Sequence, residues 1–237
     1  MQAIILAGGF GTRLRTAIAD VPKPMAPIGD KPFLAYLLDY LKEQGITQVV
    51  LSVHYLREQI QAYFQSEYRG MAVRYAVEEE PLGTGGAILH SMKMLDKTAP
   101  VFVLNGDTFL KLDYQGLYQQ HSVNSPLITM ALRKVVDCSR YGIVQVEKNI
   151  VMEFKDQGDD KPGLINAGVY LINPALFDVM SLPAQFSFER DFLFPNVNKI
   201  HPEAFAVDDY FIDIGIPEDY SRAVKELPDL LSLASIC

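Results

Sequence analysis

The chain has 237 residues, 49% of them hydrophobic, and a mean hydropathy of +0.08, which is enough apolar material for one substantial core. Its formal charge of −8 argues against a nucleic-acid or anionic-membrane partner, since both reward clustered Lys and Arg. Two distant cysteines (Cys138, Cys237) and four scattered histidines (His54, His90, His121, His201) argue against a disulfide scaffold, a zinc site or an HExxH enzyme.

If the ligands are anions, the few cations must be gathered at one place. No stretch approaches the ~20 apolar residues of a membrane helix. The run Ala3 to Ala7 has no basic segment before it and is too short for a signal peptide, so a cytoplasmic protein is expected.

In chain order, Gln2–Ala7 reads as a buried strand closed by Gly8-Gly9. Phe33, Leu37, Leu38 and Leu41 have helical spacing over 33–44, with Gly45 as the stop. Gln48–Val53 is a second strand, and Leu56, Ile60, Tyr63 and Phe64 mark a second helix. Met71–Val77 is a third strand, a helix starts at Gly85 with Ile88, Met92 and Leu95 on one face, and Val101–Leu104 is a fourth strand. Strands alternating with helices predict crossover units, a parallel sheet and an α/β class.

The second half is less regular. Strands are expected at 127–133, 143–146, 151–154, 165–172 and 204–207, with short helices near 174–180 and 217–226 and a loop over 157–163. This predicts a continuation of the sheet with a β-rich insertion.

Ligands of open α/β sheets bind beyond the carboxyl ends of the strands. The unusual residues fall there: Gly8-Gly9 after the first, Gly83-Thr84-Gly85-Gly86 after the third, Asp107 after the fourth. Gly8, Gly9 and Gly11 allow successive N–H groups to face one point, Thr12 adds a hydroxyl, and Arg13 offers a fork for phosphate. Lys23, between Pro22 and Pro24, is a second cation on a stiffened segment. The loop lacks the Gly-Lys-Ser/Thr of a Walker A motif, and Leu14 stands where a dinucleotide fingerprint needs its third glycine. A bare tight turn is the competing reading, and Arg13 with Lys23 weighs against it.

Gly8-Gly9-x-Gly11-Thr12-Arg13-Leu14 followed by Pro22-Lys23-Pro24-Met25 resembles the sugar-phosphate nucleotidyltransferase family (NDP-sugar pyrophosphorylases), from residue 1 to about Lys225. The resemblance implies a single Rossmann-like, GT-A-like domain with a mostly parallel mixed sheet flanked by helices and a small β-rich sugar-binding part. It divides the chain into a nucleotide half (1–110), a sugar-phosphate half (111–226) and a tail (227–237). It also implies transfer of a nucleotidyl group from a nucleoside triphosphate to a sugar 1-phosphate, releasing pyrophosphate.

Arg13 and Lys23 then act on the phosphates, and Leu6, Ala7, Gly8, Gly9, Gly11 and Thr12 wrap the triphosphate. Pro81-Leu82-Gly83-Thr84-Gly85-Gly86-Ala87 is a glycine-rich turn opening a helix, where free N–H groups favour polar ligand atoms; a turn that binds nothing is the alternative. It resembles the family's base-recognition segment, which assigns Glu80, Gly83 and Thr84 to the nucleotide.

Asn105-Gly106-Asp107 and Phe211-Ile212-Asp213-Ile214-Gly215 each set a carboxylate beside an apolar strand and a glycine, a costly placement unless it is paired or bound to a cation. Asp107 and Asp213 match the family's two metal aspartates, which implies Mg²⁺. Asn166-Ala167-Gly168-Val169-Tyr170 matches the sugar-binding strand, and Asn105, Gly142 and Glu189 join Asn166 and Gly168 on the sugar-phosphate side.

One departure stands out: Gln157 occupies the place of the family's sugar-phosphate Lys, so that either Lys155 or Lys161 substitutes from nearby or the phosphate is bound more weakly. The segments 22–27, 80–87 and 208–220 narrow the resemblance toward guanylyl transfer, implying GTP and D-glycero-α-D-manno-heptose 1-phosphate. Mannose 1-phosphate guanylyl transfer and a glucose 1-phosphate enzyme are the alternatives, and a non-catalytic NDP-sugar-binding regulator is one of another class. Family members often dimerise through apolar faces, so the resemblance admits a homodimer.

Overall fold

The structure, a computed structural model, describes residues 1–9, 21–155, 158 and 161–234. In chain order these hold β1 (Gln2–Leu6), β2 (Pro27–Ile28), β3 (Lys31–Pro32), α1 (Phe33–Glu43), β4 (Gln48–Val53), α2 (Arg57–Phe64), β5 (Glu67–Tyr68), β6 (Met71–Val77), α3 (Gly83–Met92), β7 (Val101–Asn105), β8 (Thr108–Leu110) and α4 (Tyr114–Asn124). Next come β9 (Ile128–Val135), β10 (Ile143–Glu147), β11 (Ile150–Lys155), β12 (Gly163–Ile172), α5 (Val197–Ile200), β13 (Glu203–Val207), β14 (Phe211–Asp213) and α6 (Pro217–Ala234). Among them, no helix is long and apolar enough to cross a membrane.

Ten of the described strands form one mixed sheet in the order β10-β11-β13-β9-β12-β7-β1-β4-β6-β5. The stretch β7-β1-β4-β6 is parallel, as the alternation of strands and helices predicts. From β1 the chain moves outward to β4 and β6, then returns to the other side of β1 as β7. The order therefore reverses between β1 and β7, the place where open α/β sheets bind ligands. At that point Leu6 stands in register with Asn105. A Cβ on Gly106 would sit 2.8 Å from the Leu6 carbonyl oxygen, so only glycine lets the two strand ends close up.

Each central strand supplies two cores. Ala3, Ile5, Val49, Leu51, Phe102 and Leu104 pack on one face with α1, α2, α4 and α6, while Ile4, Val50, Val101 and Val103 pack on the other with α3. Burial of both faces is why these strands read as continuous apolar runs rather than alternating ones.

Beyond short elements such as β2, β3, β5 and α5, which the expectations also lack, four departures have a clear physical reason. The helix expected from Gly85 starts at Gly83, whose φ of +68° makes the turn, and Leu82 holds the N-cap position. The helix expected to stop at Glu226 runs on through Pro228 to Ala234, because Leu227 is buried and Leu230 packs beside it, so the tail from 227 begins as helix. Helix α4 is absent from the expected elements: it buries only Tyr114, Leu117 and His121, too narrow a stripe to announce a helix, although Asp113 caps it by accepting from the Gly116 amide at 2.9 Å. The pair β8–β14 is absent from them too, each strand being three residues long with its partner a hundred positions away.

His121 is a packing histidine: it is buried, and its Nδ1 lies 2.8 Å from the Thr129 hydroxyl. Burial lowers its pKa from 6.5 to about 4. A buried neutral imidazole contributes stability that is whole above about pH 6.5 and is lost as pH falls toward 4, because the unfolded chain takes up the proton first. The expected loss is on the order of 3 kcal/mol. Urea midpoints measured from pH 7 to pH 4 should fall across this window, and His121→Gln should flatten that part of the curve.

Candidate active site

At the switch point the chain brings two carboxylates and one ammonium together. Asp107 follows β7 by two residues, and Asp213 ends β14, opposite Thr108 in the antiparallel pair with β8. The Ile214 amide donates to the Asp107 carbonyl at 3.0 Å, tying the two strand ends. Lys23 Nζ donates to Asp107 Oδ2 at 2.5 Å and lies 3.5 Å from Asp213 Oδ1, which also accepts from the Gly215 amide at 2.8 Å. Lys23 is held on a single 3₁₀ turn (Lys23–Met25) with prolines on both sides, so the backbone that carries it has little freedom.

Burial raises the Asp213 pKa above its ordinary value, and the charge of Asp107 adds to the rise, while Lys23 and the Gly215 amide work against it. Two carboxylates thus face one cationic centre. Both donors are hard oxygens, and among the described residues no group of three or more His, Cys, Asp and Glu stands ready to hold a metal. A donor set of two carboxylates open to phosphate oxygens suits Mg²⁺, which keeps few protein ligands.

Beside this pair lies a cavity of about 360 Å³, lined by Leu6, Gly8, Gly9, Glu78, Pro81, Gly83, Thr84, Ala87, Asn105 and Asp107. It unites the predicted positions after β1, β6 and β7. Ala7 is buried at the foot of the loop, its amide donating to the Ser52 carbonyl at 2.8 Å.

The structure does not bring Glu80 to the cavity; that side chain is exposed, and the carboxylate that lines the cavity is Glu78. Glu78 is 7% exposed, accepts from the Ser52 hydroxyl at 2.7 Å and from the Leu82 amide at 3.0 Å, and keeps lone pairs free. Of the three consecutive glutamates, the first and not the third lines the cavity. Gly11, Thr12 and Arg13 lie outside the described residues, as does Gln157.

A chain of hydrogen bonds leads from the first cavity to the sugar-phosphate candidates. Thr84 Oγ1 donates to Glu189 Oε2 at 3.0 Å, the Tyr170 hydroxyl donates to Glu189 Oε1 at 3.1 Å, and Asn166 Nδ2 donates to the Tyr170 oxygen at 2.6 Å. Tyr170 is not among the site residues expected from sequence, although its place in the Asn166–Tyr170 motif is visible there.

The register of β12 against β9 slips between Asn166 and Val169, and Gly168 takes a φ of +68° there. This bulge re-aims Asn166, and a Cβ at Gly168 would strike the Asn105 amide group. A second cavity, about 240 Å³, is lined by Tyr141, Gly142, Ile143, Val144, Phe154, Lys155, Ile165, Asn166 and Phe194. Gly142 and Asn166 therefore share a wall, with Lys155 as the cation at its edge. A larger cavity of about 830 Å³ opens against another face of α3, beside Leu89, His90 and Lys93, away from both carboxylates.

The fold and the site together define a phosphate-handling α/β protein with a mononucleotide-sized cavity and a carboxylate pair at the sheet's switch point. The chain belongs to the nucleotidyl transferase family, whose model matches residues 2–229. It is 49% identical over 93% of its length to the D-glycero-alpha-D-manno-heptose 1-phosphate guanylyltransferase of Campylobacter jejuni subsp. jejuni, covering 97% of that protein. It is 45% identical over 96% of its length to the protein of the same name from Aneurinibacillus thermoaerophilus, covering 98% of it. Its fold superposes with a TM-score of 0.83 on the crystal structure of HddC from Yersinia pseudotuberculosis complexed with GMP-PN, at 36% identity, covering 95% of this chain and 98% of that one.

Proposed function

We propose that the protein transfers a guanylyl group from GTP to D-glycero-α-D-manno-heptose 1-phosphate, releasing pyrophosphate, in the cytoplasm. The observation that carries the nucleotidyl-transfer part is the convergence of Asp107, Asp213 and Lys23 at the end of the β1–β7 pair. The heptose and the guanine rest on the relatives' names and coverage, and the buried Glu78 carboxylate supports the base. Guanine presents N1–H and its 2-amino group side by side, and a carboxylate accepts from both. Thymine and uracil present one N–H between two carbonyls, which the same carboxylate repels.

In this reading the phosphate oxygen of the sugar 1-phosphate attacks the α-phosphorus in line. The nucleophile is already ionised, so the chain needs no general base, in keeping with its scattered histidines. Its work is positioning and charge neutralisation. The amides of Gly8 and Gly9 and the side chain of Arg13 receive the triphosphate, and Lys23 neutralises charge as pyrophosphate leaves. Asp107 and Asp213 would hold Mg²⁺, which supplies electrostatic stabilisation of the transferring phosphate. Asn166, Glu189, Gly142 and Lys155 bind and orient the sugar phosphate, in the half formed by residues 111–226, while residues 1–110 bind the nucleotide.

A pyrophosphate-release assay over a panel of nucleoside triphosphates and sugar 1-phosphates tests the assignment. GTP with the heptose phosphate is expected to be the fastest pair. A preference for mannose 1-phosphate, or for another base, would overturn the finer assignment, and no release with any pair would overturn the enzyme.

A further inference from the structure

Asp219 is a buried carboxylate for which the reaction has no use. It lies in the first turn of α6, is 6% exposed, and is met by two guanidinium groups. Arg140 Nη2 donates to its Oδ2 at 2.7 Å, and Arg222 Nη1 lies 3.5 Å from its Oδ1. The helix start favours a negative charge at this position, and Arg222 is held in turn by Glu226, with contacts of 3.3 and 3.2 Å. Arg140 belongs to the connection between β9 and β10, so the ion pair joins two parts of the chain 79 positions apart.

The neighbours of Arg140 give the pair its meaning. Tyr141 and Gly142, the next two residues, form a wall of the 240 Å³ cavity that also contains Asn166 and Lys155. The Arg140 guanidinium lies 5.7 Å from the centroid of the Tyr141 ring. That ring meets Phe211 edge-on, with centroids 6.4 Å apart, and Phe211 opens the three-residue strand that ends at Asp213. The Tyr141 amide donates to the Cys138 carbonyl at 2.9 Å, and the Tyr141 carbonyl accepts from the Gly158 amide at 2.9 Å. The connection is thus tied at its own base and braced at its tip by α6. Arg140 does not line the cavity, but the next two residues do.

We infer that Asp219, acting through Arg140, is a positioning residue that holds the Tyr141–Gly142 wall of the sugar-phosphate cavity in fixed relation to the Asp213 strand. The inference rests on reading that cavity as the sugar-phosphate side of a nucleotidyltransferase. Only the carboxylate of this pair is buried, Arg140 being about half exposed, so loss of the guanidinium leaves Asp219 short of a partner, and loss of either member leaves the geometry loose. A small misplacement of a group that orients the nucleophile costs rate steeply.

The test uses Asp219→Asn, Arg140→Gln, Arg140→Lys and the double variant Asp219→Asn/Arg140→Gln in the full-length protein. With each substrate varied in turn, Asp219→Asn and Arg140→Gln should each raise KM for the sugar 1-phosphate about tenfold and leave KM for the nucleoside triphosphate within about twofold. The double variant should be no worse than either single one, as for two members of one brace. Arg140→Lys should recover part of the loss.

Amide exchange at Tyr141 and Gly158 should quicken in Asp219→Asn, and this measurement needs no turnover. A purely structural role would lower the melting temperature and the active fraction while leaving both KM values unchanged. That result overturns the inference, as does additive behaviour of the double variant. Failure of the enzymatic reading would show in the wild type as absence of pyrophosphate release, whereas failure of the brace shows only in the variants.

Discussion

Asp107→Ala is expected to lower kcat by about three orders of magnitude, the scale seen when a charge-stabilising group is removed from a reacting centre. The fold should survive. Asp107 stands at a strand end, its side chain is 33% exposed, and its carboxylate meets Lys23 and, at 3.4 Å, the Thr108 hydroxyl rather than the core. Removing it also relieves Asp213, whose pKa is raised in part by the charge of Asp107. Lys23 then keeps Asp213 as a partner, so the thermal midpoint of Asp107→Ala should stay within a few degrees of the parent's.

Lys23→Ala differs in kind. It should lose activity on the same scale, but it also leaves two carboxylates facing each other without their cation, so its stability should fall as pH rises from the ordinary carboxylate pKa through the raised pKa of Asp213 and level off above it. Pyrophosphate release measured beside thermal melts separates the two cases. Parental turnover by Asp107→Ala would remove the basis for assigning that carboxylate to the reaction.

The legible parts of this molecule are those whose physics is local. β1, β4 and β7 are apolar runs because both faces of the sheet are covered there, β6 alternates buried and exposed residues closer to the sheet edge, and the residues that end β1 or turn the chain after β6 and β7 include the glycines a tight turn needs. The carboxylate pair is legible for a related reason, since an aspartate set into an apolar strand end has few explanations other than a charge partner or a cation.

What stays hidden depends on distant pairing. β8 and β14 are too short to signal alone and exist because each supplies the other's hydrogen bonds. The Arg140–Asp219 ion pair joins two unremarkable surface-type residues, and nothing in the order of residues says they meet. The choice among Glu78, Glu79 and Glu80 is set by where β6 stops: Glu78, the first residue beyond it, turns inward onto Ser52 and the Leu82 amide, while the next two face solvent. Composition cannot make that distinction, because three identical side chains differ only in the backbone beneath them.

Glu78→Gln is the second large effect expected, and it falls on specificity rather than on rate alone. The amide keeps the volume and can still accept from the Leu82 amide or the Ser52 hydroxyl, but it loses the charge and half the acceptor capacity. Hydrogen bonds to a charged group are worth about 1.5–3 kcal/mol, so kcat/KM for GTP should fall by roughly 10- to 150-fold. Thymidine and uridine triphosphates should lose little or gain, because the repulsion between the carboxylate and their carbonyl oxygens disappears. The ratio of kcat/KM values therefore collapses from both sides.

Glu79→Gln, at an exposed side chain that meets Arg57 at 3.2 Å, should leave the ratio where it was. The decisive measurement is competition between GTP and UTP with the same sugar phosphate. If Glu78→Gln lowers turnover with both in equal proportion, the carboxylate supports the Leu82 turn and does not read the base. If the preference moves, the buried acid at the mouth of β6 is what selects the nucleotide.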